Sequence, residues 1–323
     1  MLINVPVSSI NGFTTKAANA GSIENKGIEI SLGWNDSVGD DFTYGANFNL
    51  SHNKNEVIEV NNGSGYVEGG NDNLSQNTGF MARMKEGHPI GYFYGYKTDG
   101  VMQNMDDVQA YLNQNCGGNV ANSLQGTSIK PGDLKFVDVN GDGSISADDR
   151  TNIGNGTPDW TYGLNLNADW KGFDFNIFFQ GVAGADVFDG TYRTDVASGN
   201  YPSWMLGRWT GEGTSNKYPR LAVGNATNWM VSDLYVCDGS YLRLKNITLG
   251  YTLPKTLTRK LTIERLRVYV QAENLVTWTK YWGFDPEISS GATSLGVDRG
   301  IYPQARTYTV GVNVSFYLKI RTI

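Results

Sequence analysis

Along much of this chain, apolar and polar residues alternate with a period of two. Phe42, Tyr44, Ala46, Phe48 and Leu50 stand on one side of a stretch, opposite Thr43, Gly45, Asn47 and Asn49. Tyr162, Leu164, Leu166, Ala168 and Trp170 stand opposite Gly163, Asn165, Asn167 and Asp169. The same pattern runs through Ile28, Ile30, Leu32 and Trp34, and through Tyr308, Val310, Val312, Val314 and Phe316. It recurs with one exception each (Phe178 and Tyr269) in Phe173–Phe179 and Leu266–Ala272. In Tyr241–Leu253 the phase flips between Leu244 and Ile247, which predicts a bulge near Asn246. A period of two predicts strands with one apolar and one polar face, and these stretches make seven.

Two architectures give such strands. A β-sandwich buries the apolar face between sheets, whereas a membrane barrel turns it to lipid and its polar face to a lumen. Three features favour the barrel. Aromatic residues (Trp34, Phe42, Trp170, Phe173 and Phe316) end the apolar rows, as interface girdles require. The strands run to roughly ten residues, the length of a tilted membrane crossing. Connectors also alternate strictly: short from Trp34 to Phe42, Trp170 to Phe173 and Leu253 to Ile263, long from Leu50 to Trp160, Val182 to Tyr241 and Trp278 to Thr307. Outer-membrane barrels join their strands in this way, with short periplasmic turns and long extracellular loops. The last strand then ends at the periplasmic face with Phe316.

Seven strands do not close a single-chain bacterial barrel, whose strand number is even and at least eight. The chain is therefore expected to be incomplete, or to have its edges covered from outside this sequence. The opening MLINVPVSSI has no basic n-region and too short an apolar run for a signal peptide, which points the same way.

Composition agrees. The 40 glycines and 12% aromatics favour strands and turns over helices. A net charge of −6 without Lys/Arg runs gives no footprint for nucleic acid. No run of 18 apolar residues predicts a membrane-spanning helix. Cys116 and Cys237 fall in predicted loops, open to either a bridge or two thiols.

The longest loop carries Asp138-Val-Asn-Gly-Asp-Gly-Ser-Ile-Ser-Ala-Asp-Asp149. Oxygen donors fall at positions 1, 3, 5, 9 and 12 of this run, with Gly143 at 6 and Ile145 at 8, the pattern of an EF-hand calcium loop. The expected ligands are Asp138, Asn140, Asp142, Asp149 and the Ser144 carbonyl, with Ser146 acting through water. Position 12 is Asp149 where Glu is usual, and Asp133–Val137 upstream reads as extended, so no helix pair is available for switching. The expected Ca²⁺ is structural, pinning a loop in the millimolar calcium outside a cell. The other reading is an Asx-rich turn without metal.

Several phrases now resemble one family: Asn25-Lys-Gly-Ile-Glu-Ile30, Gly91-Tyr-Phe-Tyr-Gly-Tyr-Lys-Thr-Asp-Gly100, Gly132–Gly143, Ile153–Pro158, Arg208–Arg220, Gly239–Tyr251, Ala272–Leu275 and Gly283–Pro286. Together they are similar to the C-terminal barrel region of SusC/RagA-like TonB-dependent transporters. The resemblance implies a 22-stranded plugged barrel of the Bacteroidetes outer membrane. Such a barrel imports glycans or peptides, is capped by a SusD-like surface lipoprotein and is driven by the TonB system. On this reading residues 1–323 form one partial barrel, all-β, the C-terminal portion of a transmembrane antiparallel sheet with long extracellular loops, and plug and earlier strands are absent. Members usually stop at the terminal aromatic, whereas here Tyr317–Ile323 follow Phe316.

Other candidates read blandly. Tyr201, Trp204, Trp209 and Trp229 either stack on sugar rings or pack loops together, and packing is favoured. Asn47, Asn49, Asn165 and Asn167 read as ordinary lumen polarity. His52 and His88 lack ligand-spaced partners, Asp186 and Asp189 lie in no evident pocket, and Gly181–Gly184 opens no helix. The expectation is a non-enzymatic outer-membrane transporter. The alternative is a secreted, calcium-stabilised β-sandwich that binds carbohydrate.

Overall fold

A computed structural model describes residues 2–6, 12, 15–19, 21–69, 80–191, 200–222 and 225–316. The terminal segment 317–323 and most of the first fourteen residues, on which two of the expectations above fall, lie outside the described residues.

Seven antiparallel strands form one sheet in sequential order: β1 Gly21–Val38, β2 Phe42–Val60, β3 Trp160–Trp170, β4 Phe173–Ala183, β5 Tyr241–Thr252, β6 Ile263–Thr279 and β7 Thr307–Phe316. Each expected strand is present. Two are much longer than the alternation suggested, with 18 residues in β1 and 19 in β2. Beyond the apolar band both faces meet water, so residues such as Glu24, Asn25, Lys26, Lys54 and Glu56 keep strand pairing without alternation. The bulge lies where the phase flips: Phe178 pairs with Asn246 and Phe179 with Leu244, leaving Lys245 over.

The register makes the two faces continuous across all seven strands. One row runs Trp34, Ala46, Leu166, Ile177, Ile247, Ala272 and Tyr308. The next row, on the opposite face, runs Asn35, Gly45, Asn167, Asn176, Thr248, Gln271 and Thr309. No second sheet covers the apolar rows among the described residues, and Leu32, Trp34, Val310 and Val312 are each more than half exposed. A sandwich would bury them, so the β-sandwich alternative is not what this chain adopts.

From Trp160 to Trp170 is ten steps of about 3.3 Å, roughly 33 Å along the strand, or about 25 Å along a barrel axis at a tilt of about 40°. That is the height of a barrel's lipid-facing band. Aromatic residues mark both of its ends. Phe42 stacks on Tyr44 at 5.7 Å and Phe173 lies 4.6 Å from Tyr251 near the short turns, while His52 lies on Trp160 at 4.4 Å near the long loops.

Short turns occupy 39–41, 171–172 and 253–262, and long loops fill 61–159, 184–240 and 280–306 at the other end. The β3–β4 turn is Lys171-Gly172, with φ of 48° and 89°, both positive as the type I′ form of a two-residue hairpin requires.

The long loops, rather than the sheet, hold most of the buried apolar residues. One cluster packs Val108, Tyr111 and Leu112 of helix α1 (Met105–Asn115), with its C-cap Cys116, against Val101, Leu134 and Phe136 of a small ribbon. Asn104 caps that helix by accepting the Asp107 N–H. A second cluster joins Met81, Phe93, Phe188, Trp229, Tyr235 and Val297. Cys116 and Cys237 are free thiols in separate clusters, the first at the end of α1 and the second in a short strand, Val236–Asp238.

Candidate functional site

The polar face of the sheet is a wall of amides and hydroxyls. Asn176 Nδ2 donates to Asn165 Oδ1 at 2.8 Å, Ser31 Oγ to Asn49 Oδ1 at 2.8 Å and Thr248 Oγ1 to Asn246 Oδ1 at 3.0 Å. Asn35 and Asn167 lean over Gly45, where any Cβ would collide with their amides. Lower on the wall the Arg267 guanidinium spans Gly250 to form a two-pronged pair with Asp174, donating through Nε at 2.8 Å and through Nη2. Tyr269 lies across Gly311 in the same way. Phe178, which breaks the alternation, also stands on this face and packs over Gly163. These glycines leave room for neighbours to lie flat on the wall, which is a packing reason for their place in a strand.

Near the loop end of the wall, Arg243 is only 2% exposed. It is the row neighbour of Gln180 and Thr277, and its Nε donates to Thr277 Oγ1 at 2.9 Å. Its Nη1 donates to Glu287 at 2.6 Å and its Nη2 to Asp285 at 2.5 Å, while Lys245 also reaches Glu287 at 3.1 Å. The 280–306 loop is thus fastened onto the polar face by a buried charge cluster. Burial works against the Asp285 charge, but the N–H groups of Gln304 and Glu287 together with Arg243 outweigh it, holding this carboxyl below the usual carboxylate range.

Two more carboxylates tie the loops together. Asp133, fully buried, accepts from Arg220 Nε at 2.8 Å, Asn228 Nδ2 at 2.9 Å and Asn225 Nδ2 at 3.1 Å, joining the first long loop to the second. Asp298 accepts the Tyr281 hydroxyl and the N–H groups of Gly300 and Ile301, and it lies in register beside Asp189 on a parallel strand pair. Burial, with the Asp298 charge beside it, pushes the Asp189 carboxyl up.

In the calcium-type loop, Gly141 and Gly143 have φ near +78° and +76°, the sharp turn the motif needs. Asp138 accepts the N–H groups of Gly141 at 2.7 Å and Gly143 at 2.8 Å, Asn140 that of Asp142 at 2.9 Å, and Asp142 that of Ser144 at 2.8 Å. Asp149, fully buried, accepts from Val139 at 2.9 Å and Ser146 at 2.7 Å, folding position 12 back over position 1. Partial burial opposes the Asp138 charge, but hydrogen bonds from Gly143, Gly141 and Asp142 and a contact with the Asp149 carboxyl hold it below the usual range. Among the described residues, no three His, Cys, Asp or Glu side chains converge on one point as a ready metal cage. What the loop does bring together is the buried Asp149 carboxyl against the Asp138 side chain, with the oxygens of both, and of Asn140 and Asp142, turned to N–H groups of the loop itself.

The loop aromatics mostly pack. Trp229 is buried in the second cluster, Trp209 lies against the first and donates Nε1 to Gln103, and Trp204 lies tilted to Tyr218 at 4.7 Å and edge-on to Trp282 at 5.9 Å. Tyr201 stays half exposed. His52 engages the Asp159 carbonyl and His88 stacks on Tyr92. The Arg243 cluster was not legible in the sequence, since no spacing links residue 243 to 285 or 287.

No family model matches the chain. It is 35% identical over 98% of its length to TonB-dependent receptor P3 of Formosa agariphila and 27% identical over 97% to TonB-dependent receptor SusC of Bacteroides thetaiotaomicron. Those alignments cover 31% and 28% of the relatives, so the chain spans about a third of their length. In three dimensions it is similar to the structure of the RagAB peptide transporter, with a TM-score of 0.71 at 26% identity over 98% of this chain and 32% of that one. The same importer in its open-open state gives 0.70.

Proposed function

The chain is a relative of the SusC/RagA-like TonB-dependent receptors, and from that premise we propose that it forms part of the wall and outer loop layer of an outer-membrane import channel. The whole receptor takes up oligosaccharides or peptides, capped by a SusD-like surface lipoprotein and powered by the TonB system. The observation that carries this reading is the in-register pair of faces: an apolar row left open to lipid and an amide row suited to a wet lumen. Its two edges pair with further strands in the whole barrel, because unpaired backbone groups in lipid cost several kcal/mol each. The test is uptake by the full-length receptor in an outer-membrane host. Accumulation of oligosaccharide or peptide that stops when TonB is removed supports the proposal. Accumulation indifferent to TonB, or none at all, overturns it.

The proposal extends to calcium. Asp138, Asn140, Asp142, Asp149 and the Ser144 carbonyl would hold Ca²⁺, which supplies charge neutralisation and cross-links the loop. The residues' own part is to fold the loop: the two glycines turn it, and Asp149 binds its beginning to its end. Calorimetry of the full-length receptor should register binding at on the order of 10⁻⁴–10⁻³ M, lost in Asp142→Ala. No heat at millimolar calcium would leave the loop as an Asx-rich turn.

A further inference from the structure

After α1 the chain reverses through Gly117 and Gly118, with φ of 57° and 77°, and enters a short helical turn at Val120–Asn122. Asn119 caps that turn by accepting the Ala121 N–H at 3.0 Å. The reversal sets Asn122 between the end of α1 and the 138–149 turn. Its side-chain amide donates to the Cys116 carbonyl at 3.2 Å and to the Gly143 carbonyl at 3.1 Å, and its own carbonyl accepts the Ile145 N–H at 2.7 Å. Beside it, Asn115 Oδ1 accepts the Asp138 N–H at 3.3 Å. Ile145 is 5% exposed and belongs to the same cluster as Val108, Tyr111, Leu112 and Cys116. Gly117 and Gly143 meet backbone to backbone, each leaving room where a Cβ would come within 3.8 Å of the other.

Neither partner is well held on its own. A helix of 11 residues is marginal in water, and the carbonyls at its end have no partner inside the helix. The 138–149 turn spends its carboxylates and amides on its own N–H groups, so its polar hold on α1 runs through Asn115 and Asn122. One amide nitrogen carries two N–H donors, which lets Asn122 bind a helix carbonyl and a turn carbonyl at once. We infer that Asn122 locks helix α1 and the 138–149 turn into one cooperative unit, so that a divalent cation taken up by the turn also stabilises the helix. The cation step rests on the calcium reading above; the lock itself stands on the hydrogen bonds and on Ile145.

The experiment follows amide hydrogen exchange by mass spectrometry in the full-length receptor, first with calcium chelated. Asn122→Ala should quicken exchange at both 105–115 and 138–149 about tenfold, with strand peptides from 160–170 unchanged. Asn122→Asp, which keeps the shape and removes both donors, should do the same. Coupling is then read from the far end of the helix. Asn104→Ala removes the α1 cap, and it should quicken exchange at 138–149 as well as at 105–115 when Asn122 is present, but at 105–115 alone in the Asn122→Ala background. An equal effect on 138–149 in both backgrounds, or none in either, would overturn the lock. Calcium at millimolar concentration should slow exchange at both segments in wild type and at 138–149 alone in Asn122→Ala. A wild-type response confined to 138–149 also overturns the lock. No wild-type response at either segment removes the calcium reading and the cation step with it, while the lock stands or falls on the Asn104→Ala result.

Discussion

Replacing Leu166 by arginine puts a charge on the apolar face four residues from Trp170 and six from Trp160. At about 3.3 Å per residue and a tilt of about 40°, that is roughly 10 Å inside one girdle and roughly 15 Å inside the other, close to the bilayer midplane. Arginine there costs about 2–4 kcal/mol, a factor between about 30 and about 1,000 in the folding equilibrium. Asn167→Arg, one residue on, points the same side chain into the lumen beside Asn176 and Gly45, where water reaches it, and should cost less than about 1 kcal/mol. Both variants belong in the full-length receptor, refolded into lipid vesicles and titrated with urea. The quantity compared is the difference between two adjacent positions, which cancels most of the uncertainty of an absolute free energy. Equal penalties, or a larger one at Asn167, would refute the assignment of faces.

Three more outcomes follow from particular contacts. Arg243→Met leaves the buried Asp285 without its ion partner and Glu287 with Lys245 alone, costs about 3–5 kcal/mol locally, and should expose residues 280–306 to limited proteolysis while the strands persist; an unchanged cleavage pattern would show the anchor to be idle. Gly250→Val drives a side chain between Arg267 and Asp174 and should destabilise the wall by about 1–3 kcal/mol, which Arg267→Ala in the same background should partly relieve, as thermal melts would show. Because the Asp189 carboxyl is held above its ordinary value, its contact with Asp298 is strongest below about pH 4 and weakens as pH rises through the raised value. Amide exchange at 297–298, corrected for intrinsic rates, should therefore quicken over that window in wild type and stay flat in Asp189→Asn; a wild-type profile that slows with pH would contradict the sign.

The sheet was legible because the two sides of each strand meet different solvents, and a period of two is what that difference writes into a sequence. The rows through Leu166 and Asn167 and the flip near Asn246 were readable to within a residue. Strand ends were not, because past the lipid band nothing forces residues such as Asn53 and Asn55 to alternate. Helix α1 left a signal that composition hid: Asn104 as cap, Asp106 and Asp107 in the first turn, then Val108, Tyr111 and Leu112 on one face. The loop layer was mostly illegible. Its ties run between residues far apart in sequence, such as Asp133 to Arg220 and Arg243 to Asp285, and no local spacing encodes such pairs. The turn over 138–149 is the exception, since its positive-φ glycines and its Asx hydrogen bonds lie within twelve consecutive residues.

The claim that this sheet is a channel wall is tested most directly by spin labels placed singly from Gly163 to Ala168 in the full-length receptor in bilayers. Collision with oxygen, which dissolves in lipid, and with a water-soluble nickel chelate would then be measured at each position. The account predicts oxygen maxima at 164, 166 and 168 and nickel maxima at 163, 165 and 167. A flat profile, or one with the two phases exchanged, would contradict it.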